Sequence, residues 1–153
     1  MTSMAKHEWS LDELKHKAEA YCAGAEHCCA ELHQKLQQWG AHENDIPSIL
    51  QHLQDCNYIN EERYCHAFAH DKVAYQGWGR QKIKATLTAK HLPSAHIHQA
   101  LENIDENDYI NSLTRAITTK KRTIKSNDPM AREKLIRFCL QRGFTYDEIL
   151  PLL

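Results

Sequence analysis

Glycine and proline are scarce in this chain, at five and four of 153 residues. A sheet protein joined by tight turns needs more of both, so their scarcity favours helices with few breaks. Long apolar runs are missing as well, and nothing approaches the roughly 18 residues that cross a bilayer. Met1–Ser10 carries His7, Glu8 and Trp9 and lacks the apolar core of a secretion signal. These absences predict a cytoplasmic protein with no membrane partner, whose six cysteines are reduced thiols. A phosphate-cradling loop is also wanting. Gly77-Trp-Gly79 is the one close glycine pair, and it precedes Arg80-Gln-Lys-Ile83 instead of following a strand.

Histidine and cysteine are plentiful, at eleven and six, so metal and thiol chemistry must be weighed. No Cys-x-x-Cys pair occurs, and adjacent Cys28 and Cys29, near Cys22 and His27, point to different sides of a helix. His66 and His70 have the i, i+4 spacing of a zinc pair, but Ala67-Phe-Ala69 between them lacks the glutamate of a metalloprotease helix. His91, His96 and His98 surround a turn. Cys22, Cys65 and Cys139 fall on apolar stripes, where a thiol behaves as a small apolar group. The carboxylates are scattered, with Glu61-Glu62 at a position that suits a helix dipole. The expectation is a non-enzymatic protein without metal or cofactor.

A net charge of −1 hides an asymmetry: residues 1–57 sum to −5, while 58–104 and 105–153 each sum to +2. No acid occurs from Lys72 to Leu101, which holds Lys72, Arg80, Lys82, Lys84 and Lys90, or from Tyr109 to Asn127, which holds Arg115, Lys120, Lys121, Arg122 and Lys125. Stretches without counter-charges attract a polyanion or an acidic protein groove, unless acids distant in sequence lie beside them in space.

The most informative feature is an internal repeat. Segments beginning at Leu32, Ile83 and Leu135 align without gaps over 19 positions. Each has an apolar pair at i and i+4 (Leu32/Leu36, Ile83/Leu87, Leu135/Cys139), then Gly40, His91 or Gly143, then Ala41, Leu92 or Phe144. Ile46, Ile97 and Ile149 follow, and Leu50, Leu101 and Leu153 close the pattern. Each segment therefore reads as helix, left-handed turn, helix, with His91 less suited to the turn than glycine. Asn44 or Asp45 before Pro47, Ser94 after Pro93, and Thr145-Tyr-Asp-Glu148 are the expected caps of the second helices. A further helix precedes each pair: one opened by the capping box Ser10-Leu-Asp-Glu13, one over Glu61–Tyr75 capped by Asn60, and one over Asp108 to about Ile124. The fold class is all-α: three tandem three-helix repeats, at residues 10–55, 58–104 and 106–153, forming an elongated, curved array whose free side recognises a partner.

Between two of these helices, Lys72–Lys84 combines cations with Tyr75 and Trp78 at a glycine-flanked turn. Such residues carry binding energy at interfaces and also stack on nucleic-acid bases, although Trp78 packing the turn among solvated cations would look the same in sequence. Asn57-Tyr-Ile-Asn-Glu-Glu-Arg-Tyr-Cys-His-Ala-Phe-Ala-His-Asp-Lys72, followed by Gly77-Trp-Gly-Arg-Gln-Lys-Ile-Lys-Ala-Thr-Leu87, resembles the characteristic stretch of the regulatory protein RecX family. Lys134–Phe144 with Asp147 to Ile149 is similar to that family's last repeat, and His91 stands where a glycine is usual. The resemblance implies a monomer that binds the filament of RecA recombinase on single-stranded DNA and restrains it, modulating recombination and the SOS response. On that view the docking residues are Arg63, Lys72, Trp78, Arg80, Lys82 and Lys84, with Lys120, Lys121, Arg122 and Lys125. The rival expectation is a helical repeat protein that binds single-stranded nucleic acid directly.

Overall fold

The computed structural model describes residues 8–153, so the Met1–His7 part of the stretch read for a secretion signal lies outside the described residues. Every regular element among them is helical. The chain divides into two compact units at the Tyr64–Cys65 bond.

In the first unit, α1 (Leu11–Gly24) opens on the expected capping box. Glu13 N–H donates to Ser10 Oγ at 3.1 Å, and Ser10 N–H donates to the Glu13 carboxylate at 3.2 Å. α2 (Cys29–Gln38) and α3 (Ile46–Asp55) close a small core of Leu14, Ala18, Cys22, Leu32, Leu36, Ile46, Ile49, Leu53 and Ile59. Asp45 stands at the start of α3, but its carboxylate makes no capping bond because its backbone is already helical (φ −89°, ψ −23°). α4 (Glu61–Asp71) begins in this unit, where Arg63 N–H donates to the Asn60 side chain at 2.9 Å.

The second unit continues α4 into a π turn over Lys72–Gln76, so the helix expected to Tyr75 has that extent but not its winding. Gly77, in the left-handed conformation (φ +65°), ends the turn. Next come α5 (Arg80–Ala89), α6 (Ser94–Glu102), α7 (Glu106–Lys121), α8 (Ala131–Gln141) and α9 (Tyr146–Ile149). Ser94 is the first residue of α6 and not its cap. Extended Pro93 takes that place, and its carbonyl accepts from His96 and Ile97. α7 starts earlier than expected because Asp105 caps it, accepting from Asp108 N–H at 2.9 Å. α9 has its Thr145–Glu148 capping box but lasts one turn. Leu150 keeps helical dihedrals (φ −56°, ψ −41°) although Pro151 follows it, and the chain passes into a 3₁₀ turn, Leu150–Leu152, that leaves Leu153 exposed.

The repeated turn takes the same form all three times. Gly40, His91 and Gly143 adopt φ of +83°, +63° and +97°. Each is closed by the same bond pair: Gly40 N–H to Gln37 and Ala41 N–H to Leu36, both 3.0 Å; His91 to Thr88 and Leu92 to Leu87, 3.0 and 3.2 Å; Gly143 to Leu140 and Phe144 to Cys139, 3.0 and 3.1 Å. This Schellman pairing satisfies carbonyls a helix end leaves open, and it sends the next apolar residue back onto the core.

The Gly143 turn has a second duty. α5 starts at Gly79 with no capping side chain. Its first N–H groups are satisfied from the last helix group instead: Gly79 donates to the Arg142 carbonyl at 2.7 Å, Gln81 to the Gly143 carbonyl at 3.1 Å, and Arg80 to Tyr109 Oη at 3.0 Å. A Cβ on Gly79 would sit 2.3 Å from the Gly143 carbonyl, and one on Gly143 would sit 2.5 Å from Lys82 N and Cβ. The two backbones meet because neither carries a side chain.

Gly143→Ala therefore faces both left-handed strain and a backbone collision, and should lower the unfolding free energy by at least ~3 kcal/mol. Gly40→Ala, with nothing within 4 Å of the new methyl, should cost only about 1 kcal/mol. His91→Gly should gain up to ~1 kcal/mol, all three being read by urea denaturation. In the first unit, burial together with the charge of Glu26 pushes the Cys22 thiol up to about 11, and burial with Glu61 does the same to Cys29. An unfolded thiol ionises near its ordinary value, so their stabilisation is whole below about pH 9 and disappears as pH rises towards about 11. Urea melts across that range should show this loss, and Cys22→Ala should reduce it.

Candidate docking surface

The acid-free stretch Lys72–Leu101 folds so that its cations gather over aromatic rings. Phe68 and Lys72 lie one turn apart near the end of α4, and Trp78 and Lys82 flank the start of α5. The π turn and the left-handed Gly77 bring these segments together, placing the Phe68 and Trp78 rings 6.1 Å apart edge to face. The Lys72 ammonium stands 4.7 Å from the Trp78 centroid and 5.2 Å from that of Phe68. Lys82 stands 4.3 Å from Trp78, and Lys90 5.8 Å from Phe68. Contacts of this kind contribute about 0.5–1 kcal/mol each where exposed. They fix lysine heads that would otherwise wander, so the cations are set before any partner arrives. Lys84, two residues after Lys82, is exposed on another side of α5, beside Thr88, Ser94 and Ala95.

Arg80 is taken up inside the unit, with 24% of its side chain exposed. Its guanidinium pairs with Glu106 at 2.5 Å and Glu148 at 3.6 Å, donates to the Leu101 carbonyl at 3.3 Å, and lies 4.1 Å from the Tyr109 ring centroid. Tyr109 Oη donates to Glu148 at 3.3 Å, and its ring tilts against Phe144 at 5.4 Å. Burial, helped by Glu148, raises the Tyr109 hydroxyl and keeps it a donor. Arg63 is also engaged, in the first unit, through Glu26 at 2.5 Å and the Asn57 carbonyl at 3.2 Å. Lys120 stands 5.3 Å from the Phe138 ring, while Lys121, Arg122 and Lys125 are exposed around the end of α7.

The structure adds residues that the charge pattern did not single out. Arg142 lies 4.9 Å from the Phe138 centroid and donates to the Gln76 carbonyl at 2.7 Å, bracing the π turn from which Tyr75 projects, 76% exposed. In the first unit Lys17 stands 4.0 Å from Trp9 and 4.8 Å from Trp39, and Lys35 5.4 Å from Tyr21. The signal for several was present: Phe68/Lys72, Trp78/Lys82, Phe138/Arg142 and Lys35/Trp39 are aromatic–cation pairs at i, i+4. Among the described residues no three His, Cys, Asp or Glu side chains are placed to hold a metal ion, and no helix is long and apolar enough to cross a membrane.

Residues 60–101 match the profile described as "RecX, second three-helix domain", and residues 107–153 match "RecX, third three-helix domain". The chain belongs to the RecX family. It is 31% identical over 124 residues to the regulatory protein RecX of Vibrio parahaemolyticus, covering 81% of this chain and 79% of that protein. Identity to the RecX of Herminiimonas arsenicoxydans is 27%, over 95% and 92% of the two chains. The RecX of Clostridium perfringens is longer, and the matching segment, 30% identical, spans 56% of its length. The crystal structure of RecX from Lactobacillus salivarius shares the fold, with a TM-score of 0.78, 20% identity and 93% of each chain covered.

Arg80→Gln should lower the unfolding free energy by about 1–2 kcal/mol, since it takes the guanidinium from the Leu101 carbonyl, the Tyr109 ring and the largely buried Glu148. Lys84→Gln should change it by no more than ~0.5 kcal/mol. Chemical denaturation of both variants checks the contrast.

Proposed function

We propose that this chain is a non-enzymatic modulator of RecA, docking on the RecA filament assembled on single-stranded DNA and inhibiting it, and so tuning recombination and the SOS response in the cytoplasm. The observation that carries the reading is the cluster of Lys72 and Lys82 over Trp78. It is a rigid, positively charged, partly apolar face of the kind that anchors protein interfaces. Membership of the RecX family supports RecA as the partner. Lys120, Lys121, Arg122 and Lys125 add basic groups in the second unit, whereas Arg63 and Arg80 act by holding their own units in shape. Three helical modules at residues 10–55, 58–104 and 106–153 suit a repetitive partner, because linked contacts raise avidity by on the order of 10²–10⁴.

One observation favours a second reading, direct binding of single-stranded nucleic acid: the exposed cations at the end of α7 belong to a stretch, residues 109–127, that holds no acid. That reading requires affinity for bare oligonucleotide falling steeply with salt. The acidic first unit favours the protein partner.

Replacing Lys72, Lys82 and Lys84 together by Glu should raise the concentration needed to inhibit DNA-dependent ATP hydrolysis by RecA at least about tenfold, with helicity unchanged. Undiminished inhibition by that folded variant refutes the docking face. Binding of the wild type to oligonucleotide with equal strength in the presence and absence of RecA moves the function to nucleic acid.

A further inference from the structure

A cavity of ≈ 770 Å³ in the second unit lies apart from the Trp78 cluster, along α4, the end of α6 and the first half of α7. It exists because the helices present short side chains to one another: Ala69, Ala74 and Ala100 line it with Val73 and Ile104. A volume of this order holds a sizeable ligand, as pockets of about 300–1,000 Å³ do.

The lining says what kind. No Phe, Tyr or Trp lines the cavity, and its only rings are the imidazoles of His66 and His70 on α4, so it lacks the broad platforms that single strands stack on. Asp105 and Asp108 stand on its wall, exposed, and would repel phosphates. Asn111, exposed on α7, offers an amide to the N–H and C=O groups of an extended chain, and Thr114, whose hydroxyl donates to the Ile110 carbonyl at 2.8 Å, offers its oxygen to an N–H; a helix would already have used its own. Asp108, Asn111 and Arg115 fall at i, i+3 and i+7, one face of α7, so a carboxylate and an exposed guanidinium stand two turns, roughly 10 Å, apart. An extended peptide covers that distance in about three residues.

We infer that this groove binds an extended segment of a protein partner, with small apolar side chains between a basic residue met by Asp108 and an acidic residue met by Arg115. The inference rests on the reading above that the partner is a protein, and it assigns that partner a second contact, separate from the lysine–tryptophan face.

The probes are two capped pentapeptides, Lys-Ala-Val-Ala-Glu and its reverse Glu-Ala-Val-Ala-Lys, titrated into the ¹⁵N-labelled full chain, with oligo(dT) as a third arm. One peptide should shift the Ala74, Asn111 and Thr114 amides with a Kd on the order of 1 mM. Asp108→Lys and Arg115→Glu should each weaken it at least about threefold, and the double charge swap should transfer preference to the other peptide. Both sites are exposed, so circular dichroism should be unchanged. Absence of groove shifts with either peptide, indifference to both variants, or oligo(dT) shifting these amides in place of the peptides overturns the inference. The outcomes separate from those of the filament assay: groove binding that persists while RecA inhibition is absent leaves the groove standing and removes RecA. Inhibition that survives the double swap with no peptide binding removes the groove alone.

Discussion

The second unit depends on a place where two backbones touch. α5 has no side chain to cap it, and its leading N–H groups are satisfied by the carbonyls of Arg142 and Gly143 and by the hydroxyl of Tyr109. Helix ends that are buried must find such partners. These are reached only because Gly79 and Gly143 have no Cβ. The contact also fixes the side-chain layer around it. Arg80 follows Gly79 into a site between Glu106 and Glu148, while Lys82, packed against Gly143, leaves its ammonium over Trp78. A structural arginine and a surface lysine, two residues apart, are thus oriented by one backbone contact.

The π turn makes a matching adjustment on the other side. Ending α4 with a wider turn frees carbonyls, and two of them are taken by side chains: Val73 by Ser112 Oγ at 2.8 Å and Gln76 by Arg142 at 2.7 Å. Such turns re-aim neighbouring side chains, and here Tyr75 is turned outward while Val73 stays in the core. The cationic cluster and the groove are consequently carried by different faces of one helix: Phe68 and Lys72 on one, Ala69 and Val73 on the other.

Much of this was legible in the amino-acid sequence, and for identifiable reasons. The apolar spacing and the residue after each helix revealed the three turns, because positive φ and the i, i+4 stripe are local demands that leave local marks. Even His91 was read at its position, and it adopts the left-handed conformation without being glycine. Capping boxes at Ser10 and Thr145 were legible for the same reason. What escaped depends on partners distant along the chain. Arg80 looked like its neighbours Lys82 and Lys84, since nothing nearby announces that Glu106 and Glu148 will meet it. The groove escaped too, being made by what small residues on separate helices leave open. In the first unit the acidic balance drew attention away from Lys17 and Lys35 over Trp9, Tyr21 and Trp39.

The borrowed cap has a consequence for how the unit is assembled. A helix that carries its own Ser or Asp cap has local partners for its first N–H groups. α5 lacks one, and its N-terminal partners, Arg142 and Gly143, belong to the turn after α8, far from it along the chain. α5 therefore gains its cap only when that turn closes on it, so the second unit should fold as one event and not helix pair by helix pair.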